Sequence, residues 1–309
     1  MKLIVLDYQL PKSKKMQPNE IKKTVLLAGA TGYLGNYIAK ELISRKIDTK
    51  VIVRKPSGLT AIAYALTGII QAEVTRAETL KGHLRGVDTV ISTIGITRQK
   101  DGLTYMDVDY RANMNLLEEA KRAGVKKFVY VSVINGQLHR NLKLVEAKEA
   151  FVDQLKASGM DYTIVRPNGF FSDMRDFQKM AEKGSVYIFG KGKKKFNPIH
   201  GADLAQVCVD AIISKRKEIE VGGPDILTHY EVAEMALLAS GKPINIIHLP
   251  HWLRKSILWI MRTFTSSKTY GPIEFFLTLL AEDAIAPRYG SHRLSHFFQN
   301  EMDTLKKNA

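Results

Sequence analysis

Between Lys23 and Pro167 short apolar runs alternate with amphipathic stretches, and this alternation restricts the fold more than any other feature of the chain. Val25-Leu26-Leu27-Ala28 is apolar throughout, as a strand buried on both faces must be. Leu34, Ile38 and Leu42 follow at helical spacing. Further strands are predicted at 50–53, 69–74, 88–92, 127–132 and 162–166. Helices are predicted over 108–123 and 143–158, each closed by a glycine (Gly124, Gly159) that can take the left-handed conformation of a helix stop. The apolar stretch 61–66 is open to a helical reading. Strand and helix in such regular turn give a parallel sheet covered by helices on both faces, a doubly wound α/β fold.

The first strand runs into Gly29-Ala30-Thr31-Gly32-Tyr33-Leu34-Gly35, with a helix directly behind it. A pyrophosphate requires close backbone approach and several N–H donors. Glycines permit that approach, and the start of the helix adds its positive end. The spacing, glycine at 29, 32 and 35, differs by one residue from the commoner dinucleotide fingerprint. The strand–turn–helix context carries the assignment. At the end of the second strand an NAD enzyme places a carboxylate for the ribose 2′-hydroxyl, whereas this chain has Arg54 and Lys55. A guanidinium holds a 2′-phosphate by paired hydrogen bonds and a carboxylate repels it, so the expected cofactor is NADP(H). A solvated basic turn is the plainer reading of the same two residues.

These residues resemble the atypical short-chain dehydrogenase/reductases of the NmrA-like NAD(P)-binding branch. The likeness continues through Gly86-Val-Asp-Thr-Val-Ile-Ser-Thr-Ile-Gly95, Gly124-Val-Lys-Lys-Phe-Val-Tyr-Val-Ser-Val133 and Asp161-Tyr-Thr-Ile-Val-Arg-Pro167, and covers residues 23–215. Within that branch the chain is similar to the group containing the divinyl chlorophyllide reductases. The similar segments are Glu146-Ala-Lys-Glu-Ala-Phe151, Arg166-Pro-Asn-Gly-Phe-Phe171 and Pro198-Ile-His-Gly-Ala-Asp-Leu-Ala205. The chlorophyllide substrate does not follow from this likeness. The resemblance implies that Thr31, Gly32, Tyr33 and Leu34 wrap the pyrophosphate and nearby ribose. It places Glu73 and Val74 beside the adenine, and Thr93 and Gly95 along the cofactor. Ser132 and Val133 would lie by the nicotinamide, Lys148 on its ribose, and Pro167, Asn168, Gly169 and Phe170 near the carboxamide.

One departure is chemical. The better-known reductases of this kind carry Tyr-x-x-x-Lys, and four residues before Lys148 stands Leu144, which has no proton to donate. Ser132 and Lys148 are the remaining catalytic candidates. Ser132 also reads as a hydrogen-bonded strand end, and Lys148 as a solvated helix lysine. Tyr110, Tyr130 and Tyr162 read as packing residues, His139 as a surface residue, and Asp203 as the cap of a helix starting at Leu204. The pairs His248/His251 and His292/His296 lack an evident third ligand, so no metal is expected.

Beyond Pro167 the alternation loosens. Short strands are predicted at 186–189 and 244–247, and helices near 203–214, 229–240, 251–264 and 272–284. The organisation read from the chain is a loose basic tail over 1–22, an NADP-binding Rossmann core over 23–167, and a substrate-side part over 168–309. That last part includes late sheet elements and packs on the core rather than forming an independent domain. His251–Phe264 and Glu274–Leu280 are apolar with basic residues set into the first. They read as a core-facing helix pair, with an interfacial helix on anionic lipid and a lid over a hydrophobic cavity as the other readings.

Composition excludes several classes. With 45% hydrophobic and 25% charged residues over 309 positions, this is an ordinary globular chain. The net charge of +15 is spread along it, with a peak at Lys191, Lys193, Lys194 and Lys195 that lacks interleaved aromatics apart from Phe196. Nucleic acid is not an expected partner, whereas an anionic cofactor or membrane contact fits. The lone Cys208 cannot form an internal disulfide and reads as a small buried hydrophobe, consistent with a reducing, cytoplasmic setting. The start, Met1 to Leu6, breaks at Asp7, so no targeting segment is expected, and Met16 is an alternative first residue. No run approaches the ~18 apolar residues of a membrane span. The function expected is NADPH-dependent reduction of a hydrophobic small molecule that is unsaturated or carries a carbonyl. The rival is a protein that holds NADP(H) without turning it over, in regulation, redox sensing or assembly. Oligomeric state is not legible.

Overall fold

The computed structural model describes residues 23–96 and 102–308. The tail and Met16 lie outside them. The described chain forms two compact units, residues 23–166 with 204–219, and residues 167–203 with 220–308.

The sheet strands are β1 (Val25–Ala28), β2 (Thr49–Val53), β3 (Gly68–Gln71), β4 (Thr89–Ser92), β5 (Lys127–Val131), β6 (Asp161–Pro167) and β9 (Glu218–Val221). They stand in the order β3-β2-β1-β4-β5-β6-β9. Their pairing is parallel, with Val25 opposite both Thr49 and Thr89. The first six follow the order of dinucleotide-binding sheets, reversing direction at β1 and β4. Strands β1, β4 and β5 are buried along their whole length, which explains the apolar residues at their centres.

Helix α1 (Tyr33–Ser44) turns Leu34, Ile38 and Leu42 to the interior. Behind β4, a π-helical stretch Met106–Ala112 feeds α2 (Asn113–Arg122). Helix α3 (Lys143–Ala157) buries Leu144, Val145, Phe151, Val152 and Leu155. Phe128, Tyr130 and Phe151 form the aromatic centre of this core, with the Tyr130 and Phe151 rings 4.6 Å apart. Near 108–123 the sequence predicts one continuous helix. The extra residue of the π-helical turn is the difference, and π-turns recur at functional positions. Strand β3 ends at Gln71, so Glu73 and Val74 lie in the following loop rather than in the strand. The 61–66 stretch holds only a short 3-10 turn, Ala63–Ala65.

The second unit contains α4 (Arg175–Glu182), β7 (Val186–Phe189), β8 (Lys195–Phe196), β10 (Leu227–Thr228), α6 (His229–Ala239), β11 (Ile246–Leu249), α7 (His251–Phe264), α8 (Ser267–Leu279) and α9 (Leu294–Asn308). Helix α5 (Gly201–Asp210) crosses from this unit into the other. A cluster of Phe171, Phe177, Ile188, Val232, Leu237 and Phe298 is its core. Strand β9 and helix α9 have no counterpart in the sequence reading. Glu218-Ile-Glu-Val221 is only half apolar, while α9 buries Leu294 and Phe298 on one face. Two further expectations are corrected. Helix α7 is not core-facing, because none of its residues is buried. Asp203 does not cap a helix: α5 begins at Gly201, and Asp203 Oδ2 accepts the N–H groups of Ser291 (3.2 Å) and His292 (3.1 Å).

Candidate active site

The glycine run and the residues after β2, β3, β4 and β5 gather at the carboxyl ends of the strands, where open α/β sheets bind ligands. Gly29 has φ +94°, a conformation that a β-carbon resists. A β-carbon there would also overlap the Thr93 hydroxyl, and one on Gly35 would overlap the Gly29 carbonyl oxygen. These two glycines let the turn close tightly and let α1 begin against the end of β1. The turn is pinned by Gly32 N–H donating to Gly29 O (3.0 Å). Helix α1 has no acidic residue in its first turn, so its positive end is not neutralised locally. Thr93 donates its N–H to Ala28 O (3.0 Å), which fixes the β4 loop beside the turn.

Arg54 and Lys55 follow β2 directly. The Arg54 side chain is 61% exposed, with Nε 4.0 Å from Glu73 Oε2. Arg54 and Glu73, both expected near the adenosine end, therefore do lie together.

Lys148 is buried in α3 apart from 15% of its side chain, and its ammonium lies 2.8 Å from Asp109 Oδ1. Asp109 is fully buried and accepts the Ile96 N–H on Oδ2 (3.1 Å). Gly95 covers this pair so closely that a β-carbon would fall 2.6 Å from Asp109 Oδ1 and 2.7 Å from Lys148 Nζ. Gly95 and Lys148 thus meet at one point. Burial works against the lysine's charge, and the Asp109 carboxylate outweighs it, so the ammonium is held above the ordinary lysine range. Burial raises Asp109, and Lys148 partly offsets that. The Tyr130 ring lies under the ammonium, 5.9 Å from centroid to Nζ. Its hydroxyl is buried beside Lys148, and burial pushes it above the usual tyrosine range. The sequence does not single out Asp109. Its signal is positional: Asp109 and Asn113 occupy the inward stripe that continues with Leu116 and Ala120, where apolar residues are expected. Asn113 accepts from the Ser92 hydroxyl (2.6 Å) and donates to Asp109 O (2.9 Å).

Ser132 donates its hydroxyl to Glu149 Oε1 (2.8 Å). Glu149 in turn takes a two-pronged bond from Arg166 (2.7 and 3.0 Å), whose Nε reaches Glu218 at 2.7 Å. Burial opposes the Arg166 charge, and hydrogen bonds to Glu149 and Glu218 more than restore it. Arg166 also donates to Val133 O (3.2 Å), so the loop carrying Ser132 and Val133 is fixed to α3 and β6. Leu144 is buried among apolar residues, one turn before Lys148.

In the second unit, Asn168 donates to Asn197 Oδ1 (2.8 Å) and accepts the Gly169 N–H (2.8 Å), while Phe170 N–H reaches Asp173 Oδ2 (3.1 Å). No group of three or more potential metal ligands exists among the described residues. No described helix is long and apolar enough to cross a membrane.

The model of the NAD(P)H-binding family matches residues 29–215, and the chain belongs to that family. It is 28% identical over 325 residues to the chloroplastic divinyl chlorophyllide a 8-vinyl-reductase of Oryza sativa subsp. indica, spanning 93% of this chain and 80% of that one. It is 26% identical over 232 residues to the photosystem II assembly factor Ycf39 of Guillardia theta, spanning 74% and 73%. The NADPH-dependent quinone oxidoreductase of Escherichia coli, solved with NADPH, shares the fold, with a TM-score of 0.67 at 18% identity over 90% of this chain and 99% of that one. The class defined by fold and family is therefore an NAD(P)H-binding protein built on a Rossmann-like parallel sheet.

Proposed function

We propose that this protein is an NADPH-dependent reductase of a hydrophobic small molecule that is unsaturated or carries a carbonyl. The observation that carries the proposal is the buried Lys148–Asp109 pair under Gly95, at the same end of the sheet as the glycine turn. A solvated helix lysine requires neither a fully buried carboxylate nor a glycine fitted against its ammonium. An ammonium has three donors, and Asp109 engages one side of it. The others suit ribose hydroxyls. The turn at Gly29–Gly35 and the start of α1 would hold the pyrophosphate. Arg54 and Lys55 would take the 2′-phosphate, with Glu73 and Val74 along the adenine. Thr93, Gly95, Ser132 and Val133 would line the cofactor towards its nicotinamide. Bound NADPH supplies a hydride, and the chain's part is to bind, orient and exclude water. Leu144 gives no proton, which leaves proton delivery to water or to a group on the substrate side. The buried thiol of Cys208, raised by burial, fits a reducing compartment, and we place the protein in the cytoplasm on that ground.

Stopped-flow absorbance of bound NADPH against a panel of enones, quinones and aldehydes tests this reading. Oxidation above the buffer rate with at least one member is expected, and none with any member would sink it. The second reading, a protein that holds NADP(H) for regulation or assembly, is favoured by Leu144 and by the likeness to the assembly factor. Tight NADPH binding with no turnover is its signature.

A further inference from the structure

We propose that α7 is a membrane-surface helix that docks on anionic lipid headgroups. The chain's two tryptophans, Trp252 and Trp259, both lie on α7, 66% and 63% exposed. Seven residues apart, they share one face at about 10 Å separation along the axis. Lys255 lies between them on that face and is exposed, and Ile260 and Phe264 extend the exposed apolar surface. Leu253, Ile257 and Met261 are half-buried, so the helix rests on its support without entering the core. That support is α8: Arg254 donates to Leu277 O (3.1 Å), and Arg262 Nε to Glu274 Oε1 (2.6 Å). Glu274 is the only acidic residue in α7 and α8, and it is buried against Arg262. No carboxylate of α7 or α8 therefore stands on the face that shows the tryptophans.

Charge complementarity selects the occupant. The turn at Gly190 packs against the ring of His251, the first residue of α7, and Gly190 N–H donates to Leu249 O (2.7 Å). From that turn the chain enters Lys191, Lys193, Lys194 and Lys195, all exposed. Lys194 pairs with Asp283, whereas Lys191 and Lys193 have no ion-pair partner among the described residues. A basic loop thus begins where the tryptophan-bearing helix begins. Indole rings settle at the level of lipid headgroups, their apolar body inside and their N–H wet. Lysines add attraction to the anionic leaflet. An α7 that lies along the surface fits a chain in which no described helix can cross a bilayer.

Because the chain has only these two tryptophans, its intrinsic emission reads this face directly. The full-length protein is titrated with vesicles of equal parts phosphatidylglycerol and phosphatidylcholine, and separately with phosphatidylcholine alone. The expected result is a blue shift and co-sedimentation with the anionic vesicles only, reversed by high salt. The double substitution Lys191→Gln/Lys193→Gln should weaken partitioning roughly tenfold to thirtyfold. Trp259→Ser should weaken it too, with NADPH binding unchanged in both variants. Unmoved emission with the protein left in the supernatant would overturn the proposal. So would equal binding to neutral vesicles, which removes the role of charge. A concentration-dependent blue shift without vesicles would assign the face to a second copy of the chain instead.

Discussion

At Gly35 the constraint is steric and local. A methyl group there meets the Gly29 carbonyl, which is backbone and cannot swing aside. Gly35→Ala should therefore cost roughly 1–3 kcal/mol of stability by overpacking and widen the turn proposed to receive the pyrophosphate. Urea denaturation together with NADPH titration checks both effects, and unchanged affinity would show that the turn does not hold the cofactor. Asp109 poses an electrostatic question. Burial alone pulls the Lys148 ammonium towards deprotonation, and Asp109 reverses that. In Asp109→Asn the burial remains and the counter-charge is gone. The lysine should then lose its proton at a lower pH, and NADPH affinity should fall roughly tenfold or more, the scale of a hydrogen bond to a charged group. The fall should deepen as pH rises in the variant, while the parent stays flat to higher pH. A uniform loss at every pH would make Asp109 structural only. Of this pair the sequence displays Lys148, through its place in a family motif. Asp109 stays hidden because a carboxylate on an apolar stripe becomes interpretable only when its partner is seen.

The elements show the same division. Strands β1, β4 and β5 are buried on both faces, so the apolar residues at their centres identify them. Strand β9 alternates exposed and buried residues over only four positions, Glu218 to Val221, which is too short for its period to stand out. Glu218 nonetheless closes the Arg166–Glu149 network that ties Ser132, α3 and β6 together. Glu149→Ala would leave Arg166 buried without its two-pronged partner. A loss of about 3–5 kcal/mol follows, read as an earlier urea midpoint, with the Ser132 loop loosened in hydrogen exchange. In the second unit, His200 and His229 are both held near about 4, far below their ordinary 6.5, chiefly by burial. His200 is stacked on His292 at 4.2 Å, which works in the same direction, while Asp203 opposes it. The folded chain therefore refuses protons that the unfolded chain accepts. The associated stability is complete above pH 6.5 and is lost as pH falls from 6.5 towards 4. Each histidine contributes roughly 1–3 kcal/mol, the lower end applying to the half-exposed His200. Urea midpoints at successive pH values should drop through that window, and His229→Gln should flatten the drop.

For the whole molecule, the net charge of +15 bears on ligand choice more than on fold. Sheet order and family membership make the chain an NAD(P)H binder, and on the proposed reading the choice between the two cofactors would rest on Arg54 and Lys55 at the end of β2. Binding to the native state alone raises its stability by about 2.7 kcal/mol at one hundred times Kd. A thermal melt therefore ranks the cofactors without requiring turnover. NADPH should shift the melt further than NADH at equal concentration, and added salt should narrow the gap, because it screens an exposed guanidinium from a phosphate. In Arg54→Asp the order should invert, since a carboxylate accepts from the ribose 2′-hydroxyl and repels a phosphate. Glu73 lies 4.0 Å from Arg54, and if Arg54 takes the 2′-phosphate as proposed, Glu73 would compete for the same guanidinium. Glu73→Gln should therefore raise NADPH affinity and leave NADH unchanged. If both cofactors gain equally, Glu73 acts on the adenine instead. If the parent protein shows equal shifts with NADPH and NADH, the basic turn does not read the 2′-phosphate at all.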